Sequence, residues 1–425
     1  MSTDLQVQAR TQKVKIILSH LVGKLGSSIF SFGIGLMILR ETGSASNFGF
    51  SQIIGPIVAL LLLPLTGSIV DKFHHKKIVI IGQIASITGV ILFLLGNSFQ
   101  VLPKLLLIYI LLTILTIADL FLETAYSSSL ISMVAEEEVQ KMMSQMQIVS
   151  TCVMIAAPMI GAVLYNVLSF EQFVLMEIGS EILTLFIILG INFYLFKERK
   201  AEDRVQASQG LKEIWRMFGE GLAYVRRSST LMFAVTYSMF MNVVFACFMI
   251  GLPFVQIQHF KFTNTQFGIT EMAFSIGILG ASLMLARKKE FDNPLYSAWK
   301  LVFLIFADLS LMAGLVFLNL TQWLSFTGMT ALSLLLGWML AAVNIPMQVW
   351  MTKSVPQNMQ GRIFNLLGTL SQVLKPLGIL LFGALFDSGV RPDMIFILSA
   401  IVGVIMSTAI PLALRVKLRE LGNQI

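Results

Sequence analysis

Charge is what this sequence has least of. Asp, Glu, Lys and Arg make up only 12% of its 425 residues, where an ordinary soluble protein carries about 25%. With 56% hydrophobic residues and a mean hydropathy of +0.82, so little charge cannot coat a core of this size against water. Lipid must be the solvent for most of the surface. Cysteine is nearly missing too: Cys152 and Cys247 both lie in apolar runs without a second ligand nearby, which argues against disulfide or thiolate–metal chemistry. Only four His occur (His20, His74, His75 and His259), so neither a metal nor a cofactor is expected. The sequence contains no H-E-x-x-H and no G-x-S-x-G, and an enzyme is not expected. It has no G-x-x-x-x-G-K-[ST] either, so ATP is not the evident power source. The polar opening stretch MSTDLQVQARTQKVK has no apolar core of the kind a cleaved leader needs, so the first helix is expected to direct membrane insertion itself.

What is present is long apolar runs. A membrane-crossing helix needs about 20 mostly apolar residues. That window predicts twelve spans: 15–39, 48–70, 78–98, 104–132, 146–168, 172–195, 231–256, 266–286, 298–320, 322–351, 363–386 and 392–414. The ninth and tenth are divided only by a short polar break around Asn319, Thr321 and Gln322. Continuous runs such as IVALLLLPL favour helices over the short alternating strands of a barrel. Gly (31 residues) lets membrane helices approach closely, and Phe (32) and Met (24) supply apolar packing and adaptable contact surface. The expected fold class is an all-α membrane protein.

Basic residues set the topology. With the N-terminus inside, 24 of the 30 Lys and Arg fall in cytoplasmic segments. Arg40, Lys104, Lys261 and Arg391 fall outside, and Lys24 and Lys375 lie within spans. This asymmetry obeys the positive-inside rule, predicts cytoplasmic termini in the cell membrane, and assigns the net charge of +7 to the membrane face, not to nucleic acid. The longest polar stretch, 197–229, separates an N-terminal bundle (1–196) from a C-terminal one (230–425). Within it Leu211, Ile214, Trp215, Phe218, Leu222 and Val225 recur at helical spacing, as in a helix lying on the membrane surface. A short repeat agrees with two related halves. V-A-E-E-E-V-Q-K-M starts at Val134 and V-P-Q-N-M-Q-G-R-I at Val355, each with a base seven positions on, Lys141 and Arg362. Paired halves are a common route to alternating access.

The loop after span 2 reads G-S-I-V-D-K-F-H-H-K-K from Gly67 to Lys77. It resembles the signature of the major facilitator superfamily, matching at Gly67, Asp71, Lys72, Lys76 and Lys77 and departing at His74, where many members have Gly. The resemblance implies two pseudo-symmetric six-helix bundles, and a cytoplasmic latch joining Asp71 to the start of span 11 near Gly361 and Arg362. For Lys76 and Lys77 topology anchoring alone is the alternative. The Glu-rich turn after span 4, Glu177 in span 6 and V-P-x-x-x-x-G-R after span 10 resemble the macrolide-efflux-like branch. Span 5 carries A-P-M-I-G-A (Ala157 to Ala162), similar to the Gly-Pro motif of antiporters with Ala where Gly is expected.

Ionisable groups inside spans mark pathways or relays by default. His20 with Lys24 in span 1, and Asp119 with Glu123 in span 4, are each spaced i, i+4 and so share a helical face. Lys24 and Asp119 lie on the order of 12–18 Å in from the cytoplasmic ends of their spans. The resemblance places spans 1, 4, 7 and 10 around one central cavity, where Lys24 would meet Asp119 and His20 would meet Glu123. A proton-handling cluster is one reading of this arrangement; a permanent ion pair is the other. Glu177 and Glu181 lie in span 6, a peripheral helix in that fold, and read as packing or anchoring groups. Glu271, Asp308 and Lys375 occur singly, the last beside Pro376 and Gly378, where a helix break would expose it. Asn242, Asn344 and Gln348 face either substrate or neighbouring helices, and the repeat sets Asn344 opposite Glu123. Together these features predict a monomeric secondary transporter in the lipid bilayer, exchanging protons for an amphipathic small molecule on its way out. Nutrient uptake and lysolipid flipping are the alternatives.

Overall fold

A computed structural model of the chain describes residues 3–196, 228–287, 293–354 and 373–414, with a few isolated positions between them. It is helical throughout, with no strand among the described residues. The helices are α1 (Thr3–Thr42), α2 (Ala45–Lys72), α3 (His75–Ser98), α4 (Lys104–Met133), α5 (Val139–Val167) and α6 (Phe170–Leu189). They continue with α7 (Ser229–Phe254), α8 (Asn264–Arg287), α9 (Pro294–Leu318), α10 (Gln322–Ser354), α11 (Lys375–Asp387) and α12 (Pro392–Ala413). Among the described residues, eleven helices are long and apolar enough to cross a bilayer. The start of the predicted eleventh span lies largely outside the described residues, as does most of the predicted surface helix in the central loop.

Several ends differ from the hydropathy reading for identifiable reasons. α1 begins at Thr3, well before the first apolar run, because Ala9, Gln12 and Ile16 are buried there. α6 stops at Leu189 instead of continuing to 195. Carbonyls at its end are taken by cations: Lys76 donates to Leu189 and Ile191 (3.0 and 2.9 Å) and Lys15 to Gly190 (2.8 Å). Positive groups at a helix C-terminus satisfy orphan carbonyls and oppose the helix dipole. Beyond it, Gln12 bonds Asn192 and Ser132 bonds Phe193, over a cluster of Ile16, Val79, Met133, Val134 and Phe193. The acidic turn Glu136–Glu138 is tied back to α1 by an ion pair from Glu138 to Lys13. Between α9 and α10 the polar break is real. Asn319 takes a left-handed conformation (φ 43°), which Asn tolerates better than most residues.

Large apolar side chains point both ways, as a bilayer requires. Phe30, Phe173, Phe233, Phe306 and Phe396 are fully buried, while Leu61, Ile81, Phe186 and Leu412 are exposed. The chain forms two compact units, one of Met1–Ile34 with Ile54–Ile214, the other of Gly35–Ile53 with Trp215–Ile425. In the second unit α8 and α10 touch backbone to backbone. A Cβ on Gly277 would sit 2.0 Å from the Leu334 carbonyl oxygen, and one on Gly337 would sit 2.0 Å from that of Phe274.

The 35–53 hairpin is held within the second unit by polar contacts. Arg40 donates to Asn264 (3.1 Å) and to the Phe262 carbonyl. Asp387, at the end of α11, caps the start of α2, accepting from the amides of Ala45 (2.7 Å) and Ser46 (2.9 Å) and from the Ser44 hydroxyl (2.7 Å). Partial burial pushes this carboxyl up, but the hydrogen bonds from Ser44, Ser46 and Ala45 outweigh it and hold it below the ordinary 3.8. A lowered carboxyl stabilises the fold fully above its ordinary pKa and loses that contribution as pH falls through the lowered value. Asp387→Ala should therefore cost about 0.5–2 kcal/mol at pH 7, as loss of a helix cap does. Thermal unfolding of the two proteins in detergent should differ at pH 7 and converge as pH falls through the lowered value.

Candidate functional site

The first unit holds a cavity of about 770 Å³, within the range of small-molecule sites. α1 contributes His20 and Lys24, α3 Gln83, α4 Asp119 and Glu123, α5 Ser150, and α6 Glu181. The i, i+4 spacing on α1 and on α4 turns each pair to the same side, and the close passage of α1 over α6 brings the helices together. That passage depends on Gly26, where a Cβ would lie 2.2 Å from Ser180 Oγ and 3.2 Å from Glu177 Oε2.

The four ionisable residues singled out on spans 1 and 4 thus share one chamber, but not as two contact pairs. Lys24, Asp119 and Glu123 are exposed to it, and no hydrogen bond or ion pair joins Lys24 to either carboxylate. Lys24 and Glu123 act on Asp119 electrostatically across the space. His20 bonds to Ser150 Oγ (2.9 Å), not to Glu123. Beside it Ser19 and Tyr126 share a hydrogen bond of 2.9 Å. Wide spacing leaves these charges open to water and to a ligand, which a closed ion pair would not.

Sequence reasoning undervalued α6. Glu177 and Glu181 are 1% and 5% exposed, and Glu181 stands in the cavity wall. Their carboxyl groups lie within hydrogen-bonding reach of each other and within electrostatic reach of Asp119. The Gln83 amide donates to the Glu181 side chain and to its carbonyl (3.1 Å), and Ser180 donates to Glu177 (3.2 Å). The i, i+4 acids on α6 were the available signal. Treating α6 as a peripheral helix hid it; the close crossing with α1 at Gly26 brings α6 alongside the chamber that Glu181 lines.

Asn242, Asn344 and Lys375 do not line this cavity. They line a second one, of about 270 Å³, within the second unit. Gln348 is exposed on α10 and is in the wall of neither. Of the signature loop, Gly67 has open space around it, Lys72 and Lys77 are exposed, and Lys76 is committed to the end of α6. The Asp71 side chain, Gly361 and Arg362 lie outside the described residues. Among the described residues there is no group of three His, Cys, Asp or Glu that could hold a metal.

A family model described as Major Facilitator Superfamily matches residues 16–373. A curated relative, "Macrolide efflux protein A" of Streptococcus pyogenes, is 22% identical over 393 residues, covering 92% of this chain and 93% of that protein. A protein of the same name from Enterococcus faecalis is 22% identical over 79% of this chain and 100% of its own length. Among solved structures, the nucleoside transporter NupG superposes with a TM-score of 0.67 at 13% identity, over 95% of this chain and 99% of that one.

Proposed function

The chain belongs to the major facilitator superfamily, and from that premise we propose that it is a proton-coupled exporter of an amphipathic, cationic small molecule of macrolide-like size. Members of this family are multi-pass membrane transporters, and the similarity to macrolide efflux proteins supports export across the plasma membrane. The observation that carries the coupling is the chamber in the first unit, where Asp119, Glu123 and Glu181 face Lys24 and His20.

Three acids against one permanent cation make a site that attracts positive charge. Burial opposes the ionised carboxylate while a nearby cation favours it, so occupancy of the chamber sets how many protons it holds. A cationic cargo entering on one side displaces a proton from an acid. A proton entering on the other side neutralises that acid and releases the cargo. The charge in the chamber changes little at either step, which keeps the barrier to reorientation low in lipid. Lys24 and His20 limit the number of protons the acids retain. In this reading the chain works as a monomer with both termini cytoplasmic, as two bundles (1–196 and 230–425) tethered by 197–229. Gly67, Asp71, Lys72, Lys76, Lys77, Gly361 and Arg362 form the cytoplasmic gating element, Lys76 by fixing the end of α6.

The test is accumulation of radiolabelled erythromycin in cells that lack or overproduce the protein, with and without a protonophore. Overproducing cells should hold less of the label, and the protonophore should erase the difference. If removal of Na⁺ erased it and the protonophore did not, the proton assignment would be wrong.

A further inference from the structure

The second cavity differs in chemistry from the first. It lies among α7, α9, α10 and the start of α11, and no Asp or Glu stands in its wall among the described residues. Phe233, Tyr237, Phe245, Phe248 and Trp299 supply the sides. The polar atoms of two of these rings are already satisfied elsewhere. Tyr237 Oη shares a hydrogen bond with Ser407 Oγ (3.0 Å), and Trp299 Nε1 donates to the Ser407 carbonyl (2.8 Å). Both rings therefore offer the cavity only their apolar surfaces.

Into this aromatic chamber comes one cation. Lys375 lines it at the point where the chain turns at Leu374 and restarts as helix through Pro376. Among the described residues it has neither a hydrogen-bond nor an ion-pair partner. Asn242 commits its amide nitrogen to the Ser238 carbonyl (3.0 Å), and the exposed Asn344 has no hydrogen-bond partner for its amide among the described residues. An ammonium within a membrane bundle is costly unless something compensates it. Here the compensating charge must come from outside the wall.

We propose that this cavity is a binding site for a small aromatic anion, a carboxylate or sulfonate on a body of one or two rings, with the anionic group on Lys375 and the ring system among the five aromatic side chains. A charge-assisted hydrogen bond fixes the anionic end, and offset or edge contacts with Phe, Tyr and Trp hold the body. The volume of about 270 Å³ lies just below the roughly 300–1,000 Å³ of drug-sized ligand sites, which suits a body of one or two rings. The site's charge preference is opposite to that of the acidic chamber in the first unit, and the assignment does not depend on the direction or coupling of transport.

Equilibrium dialysis of the purified full-length protein in detergent at pH 7 tests the assignment. The probes are 1-naphthoate and 1-naphthylmethylammonium, one ring system with opposite charges. Naphthoate should bind saturably and at least about tenfold more tightly than the cation, the factor expected for one charge-assisted contact. Lys375→Gln should weaken naphthoate at least about tenfold, Lys375→Arg should restore it, and Lys24→Gln, in the other chamber, should leave it unchanged. Met241→Trp, which fills the cavity without touching its charge, should abolish binding and keeps the test open if Lys375→Gln fails to fold. Equal binding of the two probes, dependence on Lys24 in place of Lys375, or no saturable naphthoate binding up to about 1 mM would each overturn the assignment.

Discussion

Asp119→Asn is expected to retain measurable erythromycin binding yet lose all concentrative export. Asp119 faces the acidic chamber with no direct ion-pair partner among the described residues, under the influence of Lys24 and Glu123, so its charge is free to respond to protons and cargo. Asn keeps the shape and hydrogen-bonding capacity but cannot exchange a proton. A proton gradient of about 1.7 pH units supplies about 2.3 kcal/mol for each proton exchanged against a monocation, enough to hold a concentration ratio of about 50-fold. In proteoliposomes with an imposed proton gradient the wild type should approach such a ratio and Asp119→Asn should stay near one. Counterflow exchange, which needs no gradient, should persist in the variant. Full pumping by Asp119→Asn would remove Asp119 from the relay and shift attention to Glu181, whose Gln variant is the next to measure.

The second large effect is structural. Gly277→Val should prevent stable assembly of the second unit, because the Leu334 carbonyl oxygen already stands 2.0 Å, and the Trp338 amide nitrogen 2.9 Å, from where a Cβ would lie. Both are backbone atoms, so no side chain can swing aside. The α8 and α10 axes would have to separate, forfeiting the packing that replaces the hydrophobic effect inside lipid. Overpacking of side chains costs about 1–3 kcal/mol, and a clash with backbone belongs at or beyond the top of that range. The expected readout is loss of monodisperse protein in detergent, or a large fall in thermal midpoint. Gly280→Ala, with open space around the position, is the control and should behave as wild type.

The division of labour between sequence and tertiary structure follows from the range of the forces involved. Hydropathy and the Lys/Arg distribution act locally, through the cost of moving each segment into lipid. They were therefore legible from the chain alone: the class, the helical spans, the break at Asn319 and the shared faces of His20 with Lys24 and of Asp119 with Glu123. The family resemblance rested on the loop from Gly67 to Lys77, and the match over residues 16–373 agrees with it.

Partners across space could not be read in that way. Three cases make the point: α6 ending at Leu189 because Lys15 and Lys76 take its last carbonyls, Glu181 entering the acidic chamber, and Lys375 joining an aromatic one. Each depends on which helix passes close to which, and glycines such as Gly26 and Gly277 set that through the side chains they lack. A sequence displays what each residue can do chemically; only the packing of the helices determines which neighbour it meets.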